Sequence, residues 1–295
     1  MSLAKLFHSK RLLQLYEEGK LDGVLRLFKK DITEENFIGG GGDASGFLYK
    51  EGKQILKLCM KEIGYFKRYG QGGTNEAQQF QEHINSLSEY FVPVVKILYE
   101  DENVFVYTQN RCQLMKKERI SPRIVIGVFQ MVQFMILKNI LVTDLSPHNL
   151  GLLNGRVVIF DYHGLHPLRR NDGRIKRRKW WVRLMRNLTR YLSYIYAPEK
   201  LNEYSTLMDN YDDSVVEKLK FDRLLPSTYI ELLLYVSIHD TEVSVDILFK
   251  LLQNCIMSIL QTFHFHPKQL NHMRCLCSLC ADENGIDNCS QSDDD

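Results

Sequence analysis

The sequence lacks a continuous apolar run long enough to cross a membrane, which would need about 20 residues. Its longest apolar stretch, Ile124–Leu137, is interrupted by a glycine and two glutamines. We therefore expect a buried helix there and no integral membrane segment. The first ten residues also lack the apolar region of a secretory signal.

The chain also lacks a large excess of either charge, because 38 Lys and Arg residues are balanced by 36 Asp and Glu. Whole-chain electrostatics therefore indicate no polyanionic partner, and nucleic acid is disfavoured as the main one. The seven cysteines form an odd set in a chain without a signal, which favours reduced thiols in a cytosol-like compartment. A hydrophobic content of 44% is ample for a folded core, and 295 residues suit two small domains or one domain with two lobes.

Hydrophobic periodicity and turn residues predict strands early in the chain and helices late. In chain order, the predicted elements of the first part are a helix over Leu12–Lys30, a glycine cluster at Gly39–Gly42, strands at Phe47–Tyr49 and Gln54–Leu58 around the turn Lys50–Lys53, a helix over Thr74–Leu87 with Thr74 as N-cap, and strands at Val92–Leu98 and Asn103–Thr108. Ser121 and Pro122 then open the long apolar helix. Strands at Leu150–Leu153 and Val157–Phe160 flank the turn Asn154-Gly155.

The strongest chemical signal is a set of three polar residues around this last hairpin. Asp144 is followed five residues later by Asn149, and Asp161 lies twelve residues beyond that. Carboxylate and amide oxygens are ligands that suit Mg²⁺. A loop whose Asp and Asn residues only cap turns is the alternative interpretation.

This segment resembles the catalytic loop and the metal-binding segment of protein kinases and of the related aminoglycoside and choline kinases. The resemblance implies that Asp144 orients an acceptor hydroxyl, and that Asn149 and Asp161 hold Mg²⁺ on the phosphates of ATP. Asp161 would belong to an Asp-Tyr-His-Gly version of the family's Asp-Phe-Gly motif.

Three further matches precede this segment in the order that the family has. Lys57 resembles the strand lysine that contacts the nucleotide phosphates, although a strand lysine is more often a solvated edge residue. Glu76, with Glu82 as the competing candidate, matches the helix glutamate that pairs with that lysine. A match to G-x-G-x-x-S supplies the expected phosphate-binding residues Gly40, Gly41, Gly42 and Ser45.

The resemblance covers about Ile38–Leu165 and implies an α+β, bilobal protein-kinase-like fold with a small β-rich N-lobe and a helical C-lobe. The expected domains are an N-terminal helical extension over residues 1–36, the N-lobe over 37–110, the C-lobe over 111–272 and a Cys-containing acidic tail over 273–295.

The sequence departs from the family beside the catalytic loop. Val142 and Thr143 replace the His-Arg pair before Asp144, and Ser146 replaces the lysine of serine/threonine kinases. These changes put the acceptor in doubt more than the nucleotide site. Ala197-Pro198-Glu199 spells the family's Ala-Pro-Glu motif, and a chance occurrence is an equal alternative.

A basic stretch follows Asp161 and a cysteine-rich segment ends the chain. Arg169–Arg190 contains a single acid and includes Trp180 and Trp181. It resembles the basic helix of lipopolysaccharide-core sugar kinases, and its charge favours recognition of an anionic acceptor. The equal alternative is a solvated helix face whose core-facing residues are Trp180, Val182, Leu184, Leu188 and Leu192. The tail cysteines Cys275, Cys277, Cys280 and Cys289 are interpreted as tail thiols, with a zinc site as the alternative.

Taken together, these signals predict an ATP- and Mg²⁺-dependent phosphotransferase, first of all a divergent serine/threonine protein kinase. A small-molecule or glycan kinase and a nucleotide-binding pseudokinase scaffold are the alternatives. The partner would be a protein or small-molecule hydroxyl acceptor. The expected location is the cytoplasm, or the interior of a host cell if the chain is an effector or a viral kinase.

Overall fold

The structure is a computed structural model that divides the chain into two compact units. The described residues are 3–42, 44–61, 76–142, 144–162, 165–168, 178–211, 213–239 and 244–265. The first unit comprises the chain up to Arg119 together with Ile140–Leu168, and the second comprises Ile120–Asn139 and the chain beyond Leu168. These units are defined by packing rather than by chain order, so the predicted domain limits at residues 37, 111 and 273 stay predictions.

A five-stranded antiparallel sheet forms the centre of the first unit. Its strands are β1 (Phe37–Gly40), β2 (Ala44–Tyr49), β3 (Gln54–Met60), β4 (Val94–Glu100) and β5 (Val104–Asn110). Their order across the sheet is β1-β2-β3-β5-β4, which leaves β1 and β4 at the edges. Both predicted strand pairs are present, each a few residues longer or shifted relative to the prediction.

The turns of this sheet follow from their residues. Lys50, Glu51 and Gly52 all have positive φ between β2 and β3, so the predicted role of Gly52 is confirmed and two side-chain-bearing residues share it. Between β4 and β5, the Asp101 carboxylate accepts hydrogen bonds from the backbone N–H groups of Asn103 (2.7 Å) and Val104 (2.8 Å).

The single helix predicted over Leu12–Lys30 is wrong, because the structure has two. After a 3₁₀ turn at Leu3–Leu6, α1 spans Lys10–Glu17 and α2 spans Asp22–Leu27. Gly19 has a φ of +71° and lies in the turn where Lys20 N–H bonds back to the Leu15 carbonyl. A glycine in this left-handed conformation ends a helix.

These N-terminal elements cover one face of the sheet. The apolar core between them contains, from the N-terminal elements, Leu6, Phe7, Leu12, Leu15, Leu21, Val24 and Ile32, and from the strands, Phe47, Leu56, Leu58, Met60, Val104 and Val106. Because these N-terminal side chains are buried against the sheet, the segment predicted as an N-terminal extension forms a layer of the first unit.

In its described residues, the rest of the first unit comprises one α-helix, a 3₁₀ turn and short strands. These elements are α3 (Glu76–Ser86), β6 (Gln113–Leu114), a 3₁₀ turn at Lys117–Arg119, β7 (Ile140–Val142), β8 (Leu150–Leu153), β9 (Arg156–Ile159) and β10 (Leu165–Pro167). The predicted hairpin at Asn154-Gly155 is confirmed, with both turn residues at positive φ. The proposed N-cap Thr74 lies outside the described residues.

The second unit is helical in its described part. Its helices are α4 (Pro122–Leu137), α5 (Arg178–Tyr196), α6 (Leu201–Asp209), α7 (Asp213–Asp222), α8 (Ser227–Ile238) and α9 (Val245–Thr262). The predicted apolar helix is α4, and it packs against α5 and α9. In α4, Gln133 is 1% exposed and donates to the Phe249 carbonyl and to Gln253 of α9. The α+β class, with an antiparallel sheet early and helices late, is confirmed.

None of the helices in the described ranges combines the length and the apolar character that crossing a bilayer would require.

Helix α5 corrects one detail of the basic stretch. Trp181, not Trp180, faces the core at 2% exposure, together with Leu184 and Leu188 one and two turns later. Trp180 is half-buried and lies beneath the Arg183 guanidinium at 5.5 Å. The Ala-Pro-Glu sequence follows α5 directly, with Pro198–Lys200 in a 3₁₀ turn. Arg169–Arg177 and the tail cysteines lie outside the described residues.

Candidate functional site

One pocket of the first unit collects most of the residues that the sequence singled out. Its volume is about 810 Å³, within the range of small-molecule sites. The glycine segment (residues 39–42), the ends of β3 and β5, the chain after β5 and the ends of β7 to β9 form its wall. The predicted site residues among its lining are Gly40, Gly41, Gly42, Lys57, Asp144, Asn149 and Asp161.

The two acids and the amide reach the pocket because each lies at the end of a short strand. Asp144 follows β7, Asn149 precedes β8 and Asp161 follows β9. Within the loop, the Ser146 backbone N–H donates to the Asp144 carboxylate, and the Asn149 side chain donates to the Asp144 carbonyl, each at 3.3 Å. The loop therefore fixes the spacing between Asp144 and Asn149.

A buried tyrosine anchors the segment that carries Asp161. The Tyr162 hydroxyl donates to the Val92 carbonyl, and the ring packs against Phe80, Phe91 and Tyr107. Burial raises the pKa of Tyr162 well above its ordinary value, so the hydroxyl remains a donor. Just upstream, β9 is tied to the chain before β4 by reciprocal 2.8 Å bonds, from Val92 N–H to the Ile159 carbonyl and from Ile159 N–H to the Tyr90 carbonyl.

Lys57 lines the pocket but does not have the partner that the sequence predicted. It is 8% exposed, and its Nζ donates to the Phe160 carbonyl at 2.8 Å. The Phe160 and Tyr162 rings each lie 5.7 Å from the ammonium. Among the described residues, no ion pair joins Lys57 to Glu76.

Glu76 instead pairs with Lys61, just after β3, at 3.6 Å. Lys61 also binds Glu100 at 2.7 Å, and the Glu100 carboxylate accepts from the Ala77 backbone N–H at 3.2 Å. Glu100 thus draws the start of α3 toward Lys61, which explains why the expected contact with Lys57 is absent. Glu76 is not part of the pocket lining, and the competing Glu82 accepts from Gln78 on the surface of α3.

The glycine segment lies at the pocket, and Ser45 does not. A hydrogen bond from Gly41 N–H to the Ala44 carbonyl (2.9 Å) closes the turn after β1. Ala44 and Gly46 line the pocket, whereas Ser45 between them is 1% exposed and donates to the Leu6 carbonyl at 2.8 Å. Because alternate residues of a strand point to opposite faces, the Ser45 side chain is directed away from the pocket, and its expected phosphate contact stays a prediction.

Sequence reasoning missed several lining residues, among them Gln109, Arg111, Cys112 and His148. Gln109 is 2% exposed and donates to the Phe160 carbonyl at 3.4 Å, while its Oε1 has no hydrogen-bond partner within the described residues. Burial raises the pKa of the Cys112 thiol, an effect that the nearby Lys57 charge partly offsets. The register of β3 with β5, which pairs Ile55 with Gln109, could have indicated Gln109, and His148 lies in the Asp144–Asn149 loop that the sequence singled out.

The residues present fit a Mg²⁺ ion that takes some of its ligands from the protein and the others from a phosphate group. The Asn149 Nδ2 donates to the Asp144 carbonyl, so Oδ1 is the Asn149 atom that could hold a metal ion, and the Asp161 carboxylate lines the same pocket. Within the part of the chain that the structure describes, no three His, Cys, Asp or Glu side chains are grouped to hold a metal ion alone. Mg²⁺ typically takes one or two protein oxygens and completes its shell with phosphates and water.

Comparisons with known proteins add little to this geometry. No protein-family model matches the chain, and no curated protein matches it. Among solved structures, it is similar to the structure of vaccinia related kinase 3, with a TM-score of 0.48 and 11% sequence identity. That similarity covers 78% of this chain and 88% of the other. At these values the similarity assigns no function, which is therefore inferred from the pocket.

Proposed function

We propose that this chain is an ATP- and Mg²⁺-dependent phosphotransferase of the protein-kinase-like class. One observation carries the proposal: Lys57, Asp144 and Asp161 are far apart in the sequence and line one cavity together with a glycine segment. Each residue type has an ordinary structural explanation alone. A lysine, two carboxylates, an amide and a glycine segment without side chains in one pocket are the complement that phosphoryl transfer needs.

Each side chain has a role that its position supports. The glycine segment, without side chains, lets phosphates approach the backbone, and Lys57 neutralises phosphate charge. Asn149 and Asp161 would hold Mg²⁺, which when bound neutralises charge on the transferred group. Asp144 is exposed at the pocket and would take the proton of the acceptor hydroxyl. In the same step the acceptor oxygen would bond to the γ-phosphorus of ATP, and the bond between that phosphorus and the ADP oxygen would break.

The acceptor we propose first is a serine or threonine hydroxyl of a protein. A small-molecule or glycan acceptor is the second candidate, and Ser146 favours it. This residue is half-buried in the loop of Asp144 and places a neutral side chain where protein kinases carry a lysine. An acceptor screen that compares phosphorylated protein with phosphorylated sugar or aminoglycoside distinguishes the two.

A pseudokinase that binds nucleotide without transfer is favoured by a different observation. Lys57 is held by a backbone carbonyl, and Glu76 is held by Lys61. Turnover requires the Lys57 ammonium to contact a phosphate, whereas a scaffold could keep the contact with the Phe160 carbonyl alone. Binding of Mg²⁺-ATP without transfer to any acceptor class would establish the scaffold.

The test combines binding and transfer in the full chain. We expect the wild-type protein to bind ATP more tightly with Mg²⁺ than without it, by titration calorimetry, and to transfer labelled phosphate to an acceptor. Asp144→Asn should lower kcat about 100-fold or more while ATP affinity stays within about twofold, since only proton removal is lost. Asp246→Asn, on the exposed first turn of α9, is the matched control and should behave as wild type. A wild-type protein that neither binds ATP nor transfers phosphate would refute the proposal.

A further inference from the structure

The N-terminal segment (residues 3–8) touches the strands on either side of the glycine segment. The Ser45 hydroxyl donates to the Leu6 carbonyl at 2.8 Å, and Ser45 is 1% exposed. This bond joins residues that are 39 positions apart. It lies next to Ala44 and Gly46, both of which line the pocket. The serine that sequence comparison assigned to phosphate thus links the pocket wall to the N-terminus of the chain.

A second contact joins the same segment to β1. The His8 ring packs edge-on against Phe37 at 5.3 Å, and Phe37 in turn packs against Phe47 of β2 at 5.7 Å. Gly40 lies so close that a Cβ added there would be 3.5 Å from the His8 Cβ and 3.3 Å from the Ser45 Oγ. Both contacts therefore converge on the strand ends that carry the glycine segment.

Strand β1 needs such support because it has only one neighbour. It is an edge strand that pairs with β2, and its register is irregular between Phe37 and Gly39. Glycine-rich backbone also loses more conformational entropy on ordering than other residues. Without lateral support, the entropy lost in ordering residues 39–42 would make the free energy of ligand binding less favourable.

We propose that the N-terminal segment is a positioning element for the phosphate-binding backbone, with Ser45 as the principal positioning residue. This inference rests on the proposed nucleotide function of the pocket. The segment holds Gly39–Gly42 in the bound conformation before the nucleotide arrives. Ser45 then affects nucleotide affinity without touching the nucleotide, because its hydroxyl is directed to Leu6 rather than into the pocket.

The experiment compares two buried serines of the same region in the full chain. Ser45→Ala removes the bond to Leu6, while Ser9→Ala removes a 4% exposed hydroxyl that accepts from Leu12 N–H at 3.4 Å and lies 4.0 Å from Met60 Sδ. We expect Ser45→Ala to raise the Kd and the KM for Mg²⁺-ATP about fivefold, the factor that one neutral hydrogen bond represents, with kcat nearly unchanged. Ser9→Ala should lower the melting temperature to a similar extent and leave both constants at the wild-type values.

An exposed residue gives a second variant that should fold in any case. His8→Ala removes the ring that packs on Phe37, and His8→Phe keeps a ring there. We expect His8→Ala to weaken Mg²⁺-ATP binding about twofold, in line with the loss of one aromatic contact, and His8→Phe to restore it. Hydrogen exchange of the Gly41 amide, which is bonded to the Ala44 carbonyl, should accelerate in Ser45→Ala and His8→Ala but not in Ser9→Ala.

These arms distinguish failure of the inference from failure of the proposed function. If the wild-type chain binds no ATP, the nucleotide function fails, and the exchange of Gly41 still decides whether the segment orders the glycine backbone. If ATP binds and Ser45→Ala changes Kd and Gly41 exchange no more than Ser9→Ala does, the positioning role is refuted. A lower melting temperature alone, with unchanged Kd, would show that the Ser45–Leu6 bond only stabilises the fold.

Discussion

Two lysines of the β3 segment have opposite surroundings: Lys57 lies in the middle of the strand, and Lys61 directly follows it. Lys61 lies between the carboxylates of Glu76 and Glu100, at 3.6 and 2.7 Å. Four residues earlier, Lys57 is more deeply buried, and its ammonium is met by the Phe160 carbonyl and two aromatic rings. Two carboxylates neutralise the Lys61 ammonium, as in a structural ion pair. Among the described residues, the groups that contact the buried Lys57 ammonium are neutral, which is a poor arrangement for stability alone.

From this difference we infer that Lys57, and not Lys61, serves the proposed nucleotide. Lys61 is satisfied by the protein, so an anionic ligand would have to compete with two carboxylates. Lys57 faces a cavity of about 810 Å³ and can exchange a carbonyl for a phosphate oxygen, which forms a stronger, charge-assisted hydrogen bond. The predictions that follow test this division of roles.

The largest effect is expected from Lys57→Met. Loss of the ammonium should lower phosphoryl transfer about 100-fold, the scale of removing one preorganised electrostatic group. The free energy of unfolding should change by less than about 1 kcal/mol, because the desolvated Lys57 cation has no carboxylate partner within the described ranges and so contributes little to stability. Transfer assays and urea denaturation check the two parts, with Lys53→Met in the exposed turn as the control. A strongly destabilised but active variant would contradict the assignment.

A loss of stability, not of function, is expected from Lys61→Met. It leaves Glu76 and Glu100 close together without their cation, and the three side chains are only 13–22% exposed. We expect the free energy of unfolding to fall by about 2 kcal/mol, between the values for surface and buried pairs. Mg²⁺-ATP affinity should remain within about twofold, since Lys61 is not part of the pocket wall.

The matched variant Glu76→Gln decides between the sequence and the structure. If Glu76 serves Lys61, its substitution should cost stability, and its effect should be non-additive with that of Lys61→Met in a double-mutant cycle. If Glu76 pairs with Lys57 during turnover, as the kinase resemblance implies, Glu76→Gln should instead reduce transfer with little loss of stability.

The sequence predicted those parts of the fold that local patterns determine. The β2–β3 and β8–β9 turns follow from Gly52 and from Asn154-Gly155, and α4 follows from its apolar run after Ser121 and Pro122. It failed where one residue in a periodic pattern has an unusual conformation. Gly19 divides the predicted Leu12–Lys30 helix because its left-handed φ depends on the packing of α1 and α2 against the sheet.

The candidate site divides in the same way. The spacing of Asp144, Asn149 and Asp161 indicated residues that the structure places in one pocket, because short strands fix each of them close by. Contacts across the sheet could not be predicted in the same manner. The partner of Glu76 depends on where Glu100 lies, and the direction of Ser45 depends on which face the N-terminal segment covers.

The smallest effect concerns Cys112, whose alkylation tests ligand binding near Lys57 in an assay that needs no phosphate acceptor. Because burial raises the pKa of this thiol and the thiolate is the reactive form, alkylation by iodoacetamide should be slower at pH 8 than for a free cysteine and should accelerate as pH rises. If Mg²⁺-ATP occupies the pocket that Cys112 lines, it should slow alkylation of this residue about threefold further. Mass spectrometry of the Cys112 peptide separates this signal from the other cysteines. Protection should disappear in Lys57→Met and persist in Lys61→Met; equal protection in both variants would mean that the two lysines do not differ in the way proposed.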